Sequence, residues 1–142
     1  MTITPATPAN FSAAIEQLKT NNLPIEDISE TTDLFVLMDD NKVSGTIAIE
    51  YSGTEGLLRS LSVSEEQRNN GLGIQLVNYI ENYALQNGVQ NLYLLTTTAE
   101  IFFERRAYEV VERNEVPLFI QNTSEFNSVC PTSAIIMKKR LL

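Results

Sequence analysis

Residues 57–73 read LLRSLSVSEEQRNNGLG, and the interpretation of this stretch decides how the rest of the chain is read. Leu57–Val63 has the apolar weight of a buried strand. Ser64–Gln67 is a polar turn. Arg68-Asn69-Asn70-Gly71-Leu72-Gly73 places glycines where a loop hands over to a helix. Such a junction gathers successive backbone N–H groups and adds the partial positive charge of a helix start, so it can cradle an anion. It also serves as an ordinary strand–turn–helix connection, and the glycines alone do not separate the two readings. It is not a P-loop, because no Gly-Lys-Ser/Thr follows. Nor is it a dinucleotide fingerprint, because GxGxxG is absent.

Upstream, Leu34–Met38 and Val43–Tyr51 read as strands, joined by the turn residues Asp39-Asp40-Asn41-Lys42. With Leu57–Val63 they form an antiparallel meander. Before them, Met1–Thr7 reads as a short first strand. Ala9–Asn21 reads as a helix with Asn10 at its N-cap and Phe11, Ala14, Ile15 and Leu18 at helical spacing. Pro24 opens a second short helix, PIEDISE, whose acids suit a helix start.

Downstream, the pattern predicts a helix over Leu72–Gln86, with Leu76, Ile80, Tyr83 and Ala84 on its buried face and Asn87-Gly88 as its stop. Asn91–Thr96 follows as a strand apolar enough for burial on both faces, as in a parallel neighbour. The two strands and the helix between them make a βαβ unit. Thr97 to Glu100 has capping-box spacing ahead of a short helix over Ala99–Arg106. Tyr108–Glu112 is a strand, Pro117–Ile120 helical, Thr123–Pro131 mostly loop, and Ser133–Lys138 the last strand. The fold class is α+β in one domain over 1–142: a mixed, mostly antiparallel sheet of about six or seven strands, flanked by about four helices.

Composition excludes several chemistries. The chain has 142 residues, a net charge of -8, one cysteine (Cys130) and no histidine. Zinc sites of Cys and His, Ser-His-Asp and Cys-His catalysis, and an intrachain disulfide are therefore out. Proton transfer must use Asp, Glu, Tyr, Lys, Cys, water or backbone. An acidic chain offers no broad basic surface for nucleic acid or an anionic membrane. MTITPATPANF lacks the basic start and apolar middle of a signal peptide, so the cytoplasm is the expected compartment. Cys130, before Pro131 and with no histidine to activate it, reads as a structural thiol.

The flanks of the glycine loop add a resemblance. Arg68-x-x-Gly71-x-Gly73 after the Leu61-Ser62-Val63 strand resembles the acetyl-CoA-binding motif of the GNAT superfamily of N-acetyltransferases. Phe102-Phe103-Glu104-Arg105-Arg106-Ala107-Tyr108 resembles that superfamily's later signature of aromatics, acid, base, glycine and aromatic. LLRSLSV, GLG, LYLLTTTAEIFFER, NEVP and CPTSA look like its arsenic-resistance-associated branch.

The resemblance implies a GNAT fold in which a central parallel pair splays apart. Pantetheine would lie along the backbone of Leu61, Ser62 and Val63 like an added strand. The pyrophosphate would sit on N–H groups of Arg68, Asn69, Asn70, Gly71, Leu72, Gly73 and Ile74, with a backbone N–H near Val63 polarising the thioester carbonyl. Phe103 falls where the family often has a tyrosine that protonates the leaving thiolate, and Ala107 falls where it has a glycine. The implied cosubstrate is acetyl-CoA, without a metal. The partners are a small amine, amino-acid-like on the branch resemblance, and a second copy of the chain in a homodimer. Acetylation of a protein N-terminus or lysine, or acyl-CoA binding without catalysis, stand as alternatives.

Glu50, Glu55, Arg59 and Thr96 are the candidate polar side chains of the cleft. Glu50, at the end of the strand beside the expected cleft, is the first choice of base, and Glu55 the second. Arg59 lies mid-strand, where period two sets it on the face of Leu57, Leu61 and Val63. A charge there is costly unless paired. It either makes an ion pair with an acid such as Glu50 or clamps a substrate carboxylate. Thr96, with Thr97 and Thr98, lines the acetyl end or caps the next helix; capping is favoured for Thr97.

Overall fold

The computed structural model describes residues 1–28, 32–123, 125–126 and 133–142. The elements run β1 (Thr2–Pro5), α1 (Pro8–Thr20), β2 (Asp33–Asp39), β3 (Lys42–Ser52), β4 (Glu55–Val63), a 3-10 turn (Glu65–Gln67), α2 (Leu72–Gln86), β5 (Asn91–Thr96), α3 (Glu100–Glu104), β6 (Glu109–Val111), a second 3-10 turn (Arg113–Glu115), α4 (Leu118–Gln121) and β7 (Ile135–Arg140). Among the described residues seven strands form one sheet in the order β1-β2-β3-β4-β5-β7-β6. All neighbours are antiparallel except β4 and β5. This is the α+β mixed sheet with a central parallel pair that the sequence reading expects.

The sheet is covered on both faces. On one, Leu72, Leu76, Val77, Ile80 and Ala84 of α2 pack on Leu37, Ile47, Ile49, Leu58, Leu92 and Leu94. On the other, Ala14 of α1 meets Leu34, Val36 and Ala48, and Ile120 of α4 meets Leu57, Tyr93 and Ile136. β5 thus buries alternate residues in opposite cores, which is why LYLL has no polar face. Burying a Leu or Ile side chain stabilises by about 1.5–3 kcal/mol, so these layers hold the strands rigidly enough to define a gap between two of them.

The gap comes from a parallel pairing that stops early. β4 and β5 pair only at Glu55–Asn91, Gly56–Leu92 and Leu57–Tyr93. Beyond Leu57 the strands splay, while β5 stays paired to β7 through Thr96. β4 stays paired to β3, but through a bulge. Thr46 faces Ser62 and Ala48 faces Arg59, so β4 carries an extra residue there. Ser60, at φ 60°, absorbs it.

The bulge corrects the facing of β4. Strict alternation keeps Leu57, Arg59, Leu61 and Val63 on one face. In the structure Leu57 belongs to the α4-side core, whereas Leu61 and Val63 pack with Leu58 against the α2-side core. One inserted residue reverses every side chain after it.

Other local expectations also change. Residues 24–28 form a turn, not the start of a helix over PIEDISE; residues 29–31 lie outside the described set. Glu26 turns back to accept from the Ile25 N–H at 3.1 Å, and Asp27 is drawn to Arg59. A tertiary ion pair here outweighs weak helix propensity. α1 begins after Thr7 with Pro8 in its first turn, and Asn10 sits at N3, its Oδ1 accepting from the Thr7 N–H at 2.8 Å. Ahead of α3, Thr96 Oγ1 rather than Thr97 takes the loop N–H groups, from Ala99 at 2.9 Å and Thr98 at 3.3 Å. Cys130 lies outside the described residues.

Candidate functional site

A cavity of about 470 Å³ fills the splay between β4 and β5. Leu58–Leu61 form one wall and Leu94–Thr96 the other, with Ala99 and Phe103 from the α3 region, and Glu26 and Glu125 contributing acids. Because β4 past Leu57 has no strand partner on this side among the described residues, its backbone groups face the gap as an open sheet edge.

At one end of that edge lies the glycine loop. Asn69 and Gly71 adopt left-handed φ of 69° and 75°. Gly71 is the N-cap of α2 and has no side chain to cap it. The first α2 bond runs from the Gln75 N–H to the Gly71 carbonyl at 3.2 Å, which leaves the N–H groups of Leu72, Gly73 and Ile74 ahead of the helix ladder. A Cβ on Gly71 would meet nothing within 4 Å, whereas one on Gly73 would lie 3.3 Å from the Phe102 ring. The glycines therefore act differently: Gly71 turns the chain and keeps the space above it open, and Gly73 lets α2 and α3 approach.

Arg68 braces the loop. Its Nε donates to the Val63 carbonyl at 3.2 Å and its Nη2 to Asn21 Oδ1 at the end of α1. Its own N–H points back to the Glu65 carbonyl at 3.4 Å. Ser62 turns its hydroxyl away from the gap, 2.6 Å from Thr46 Oγ1, leaving backbone rather than side chain at that point of the edge.

At the other end lies Arg59, 3 % exposed. Its Nη1 donates to Asp27 at 2.5 Å and Glu50 at 2.9 Å, its Nη2 to Asp27 at 2.7 Å, and its Nε lies 3.3 Å from Glu125. Burial works against the guanidinium's charge, but the hydrogen bonds and charges of Asp27, Glu125 and Glu50 outweigh it and its pKa rises. Burial also raises Asp27, yet its bond to Arg59 prevails and the carboxyl is held below its ordinary range. Glu125 goes the other way. Burial pushes it up, with Asp27 and Glu50 adding repulsion, and despite Arg59 it reaches about 7.

The structure thus brings Arg59, Leu61, Thr96 and Phe103 to one cavity. Glu50 contacts Arg59 but is not part of the cavity wall. Glu55 stands at the far end of β4, where the parallel pairing is intact. Phe103 is buried edge-on to Phe102 and Tyr108, with centroids 5.1 and 5.5 Å away. Asp27 and Glu125 were not anticipated. A buried arginine in a strand signals that acids must converge on it, but with 18 acidic residues in the chain, residue type does not say which.

A parallel pair splayed over a glycine-led helix start is the architecture of the GNAT acetyltransferases, and the family model for the acetyltransferase (GNAT) domain matches residues 30–110. The chain belongs to this family. It is 36% identical over 91 residues to an uncharacterised N-acetyltransferase of Chlorobaculum tepidum, covering 63% of this chain and 58% of that protein. It is 27% identical over 96 residues to the amino-acid acetyltransferase of Photorhabdus laumondii, covering 66% of this chain and 21% of that one. Its fold superposes with a TM-score of 0.85 on N-acetylglutamate synthase of Neisseria gonorrhoeae, solved with coenzyme A and N-acetyl-glutamate, at 19% identity over 99% of this chain and 35% of that chain. The chain therefore spans little more than half of the first of these proteins and about a fifth and a third of the others.

Proposed function

We propose that this chain binds acetyl-CoA along the open edge of β4 and transfers its acetyl group to a small primary amine entering from the Arg59 side. The observation that carries the proposal is the early end of the β4–β5 pairing, which leaves a strand edge running from the α2 N-terminus to the cavity. The pyrophosphate would rest on the N–H groups of Leu72, Gly73 and Ile74, with Asn69, Asn70 and Gly71 shaping the loop and Arg68 bracing it. Pantetheine would pair with Leu61–Val63, and its thioester would reach the level of Thr96 and Phe103. The amine nitrogen attacks the thioester carbon directly; a thiolate resembling a cysteine's, with a pKa of about 8.5, leaves readily without a tyrosine at Phe103.

An amino-acid-like acceptor is favoured by the N-acetylglutamate synthase likeness, and a role in detoxifying such an acceptor by the resemblance to the arsenic-resistance branch. In that case Arg59 would exchange Asp27 for the substrate carboxylate, a like-for-like swap at a bidentate site. The cytoplasm and a homodimer are the setting we propose. Phe103 favours a second reading, an acyl-CoA-binding module without turnover. Calorimetric titration with acetyl-CoA, followed by a thiol-release assay over a panel of amines, tests both. Binding with amine-dependent CoA release supports transfer, binding without release supports the module, and no binding overturns both.

A further inference from the structure

Among the described residues three carboxylates meet Arg59, and of these only Glu125 also lines the cavity. We propose that Glu125 is the proton acceptor for the incoming amine, with Arg59 holding its carboxylate at the cavity wall; this rests on the acetyl-transfer reading above.

Glu50, the acid favoured on strand position alone, is committed elsewhere. Its Oε2 accepts from Arg59 Nη1 at 2.9 Å, its side chain is about a third exposed, and it takes no part in the wall. Asp27 is tied by both oxygens to Nη1 and Nη2. Glu125 lies 3.3 Å from the Nε of the guanidinium and is 4 % exposed.

The charge count explains why this acid can cycle a proton. Among the described residues, the groups that bear on Glu125 are Arg59 from β4, Asp27 from the turn after α1, and Glu50 from β3. Arg113 lies beside the same segment, 4.9 Å over the Phe126 ring. With all three acids ionised, one guanidinium stands against three negative charges. The excess is relieved most readily by protonating the most buried acid. That acid then exchanges a proton near neutral pH, the range in which a general base is effective. Asp27, more exposed and bound to the guanidinium through both oxygens, stays ionised.

In the reaction the substrate ammonium gives one proton to the Glu125 carboxylate. The freed lone pair forms the C–N bond to the thioester carbon. The C–S bond breaks, its electron pair leaves on sulfur, and the second N–H proton is lost as the amide forms. The sulfur takes up one of the two protons, and the other passes to solvent, returning Glu125 to its carboxylate.

The test compares Glu125→Gln with Glu50→Gln, in each case measuring acetyl-CoA affinity by calorimetry and kcat/KM for an accepted amine from pH 5.5 to 9. Glu125→Gln should lower kcat by about 100-fold or more, abolish the fall in kcat/KM below about pH 7, and leave the acetyl-CoA Kd within about threefold. Glu50→Gln should keep that acid limb. Should Glu125→Gln fail to fold, Glu125→Asp retains the charge on a shorter arm and should keep the limb at reduced kcat. Turnover of Glu125→Gln within about threefold of the parent, with its limb intact, would overturn the role. So would a full-rate Glu125→Asp whose acid limb is lost. Failure of the parent protein to turn over any amine overturns the transfer reading as well, which separates the two.

Discussion

The two ends of the β4–β5 cavity are built from different materials. The loop end is backbone: a left-handed glycine, an uncapped helix start and an unpaired strand edge. The Arg59 end is side chain: one arginine held by acids from the turn after α1, from β3 and from the segment after α4. A backbone site tolerates change in most side chains and fails when the chain path is altered. A side-chain site is insensitive to local propensity and fails when one partner is removed.

That contrast predicts unequal responses to mutation. The largest effect should come from Arg59→Ala, which leaves the carboxylates of Asp27, Glu50 and Glu125 around a vacated buried position. A loss of about 3–5 kcal/mol is expected for breaking such a buried cluster, read from urea denaturation. A loss under about 1 kcal/mol would mean that the acids are already hydrated, as at an exposed pair.

A smaller effect should come from pH. Folded Glu125 keeps its proton up to about pH 7, against an ordinary value of 4.5. Between those values the folded state binds more protons than the unfolded one. The resulting stabilisation is complete below about pH 4.5 and is lost as pH rises through about 7. It amounts to at most about 3 kcal/mol. Asp27, held below its ordinary range, works oppositely and only in more acid solution. Denaturation at pH 5.5 and pH 8 should therefore show the folded state weaker at pH 8, and Glu125→Gln should remove most of the difference.

At the loop end, Gly71→Ala keeps the space above the residue but forces an alanine to φ 75°. The expected cost is about 1–2 kcal/mol, or roughly tenfold in acetyl-CoA affinity if the loop relaxes to escape it. Gly71→Asn, which tolerates this conformation better, should cost less, and equal losses for both would point to a steric rather than a conformational cause. The smallest effect runs in the favourable direction. Ala107 is held at φ 73° ahead of the buried Tyr108, and Ala107→Gly should stabilise by about 0.5–1 kcal/mol, seen as a higher Tm.

The same contrast explains what could be read from the sequence. The strand, glycine loop and α2 are contiguous, so the meander, the βαβ unit and the glycine loop at the helix start were legible from residue order and periodicity. The acids on Arg59 come from positions 27, 50 and 125, brought together only by the completed sheet. Of these, Glu50 was reachable because it lies on the neighbouring strand. Asp27 was misplaced in a helix because its acidic surroundings fit a helix start equally well. The bulge at Ser60 left no mark, since LLRSLSV alternates acceptably without it. Only the positive φ, a tertiary compromise between β3 pairing and the two cores, displaces Leu61 and Val63 to the other face.

On the reading proposed above, a backbone edge and an uncapped helix start receive the donor. Amide chemical shifts of the isotopically labelled protein, followed as acetyl-CoA is added, test it most directly. Saturable shifts centred on Leu61–Val63 and on Leu72–Ile74 are expected, with β1 and β6 unmoved. Shifts confined to other parts of the sheet, or no saturable shift up to millimolar acetyl-CoA, would contradict it.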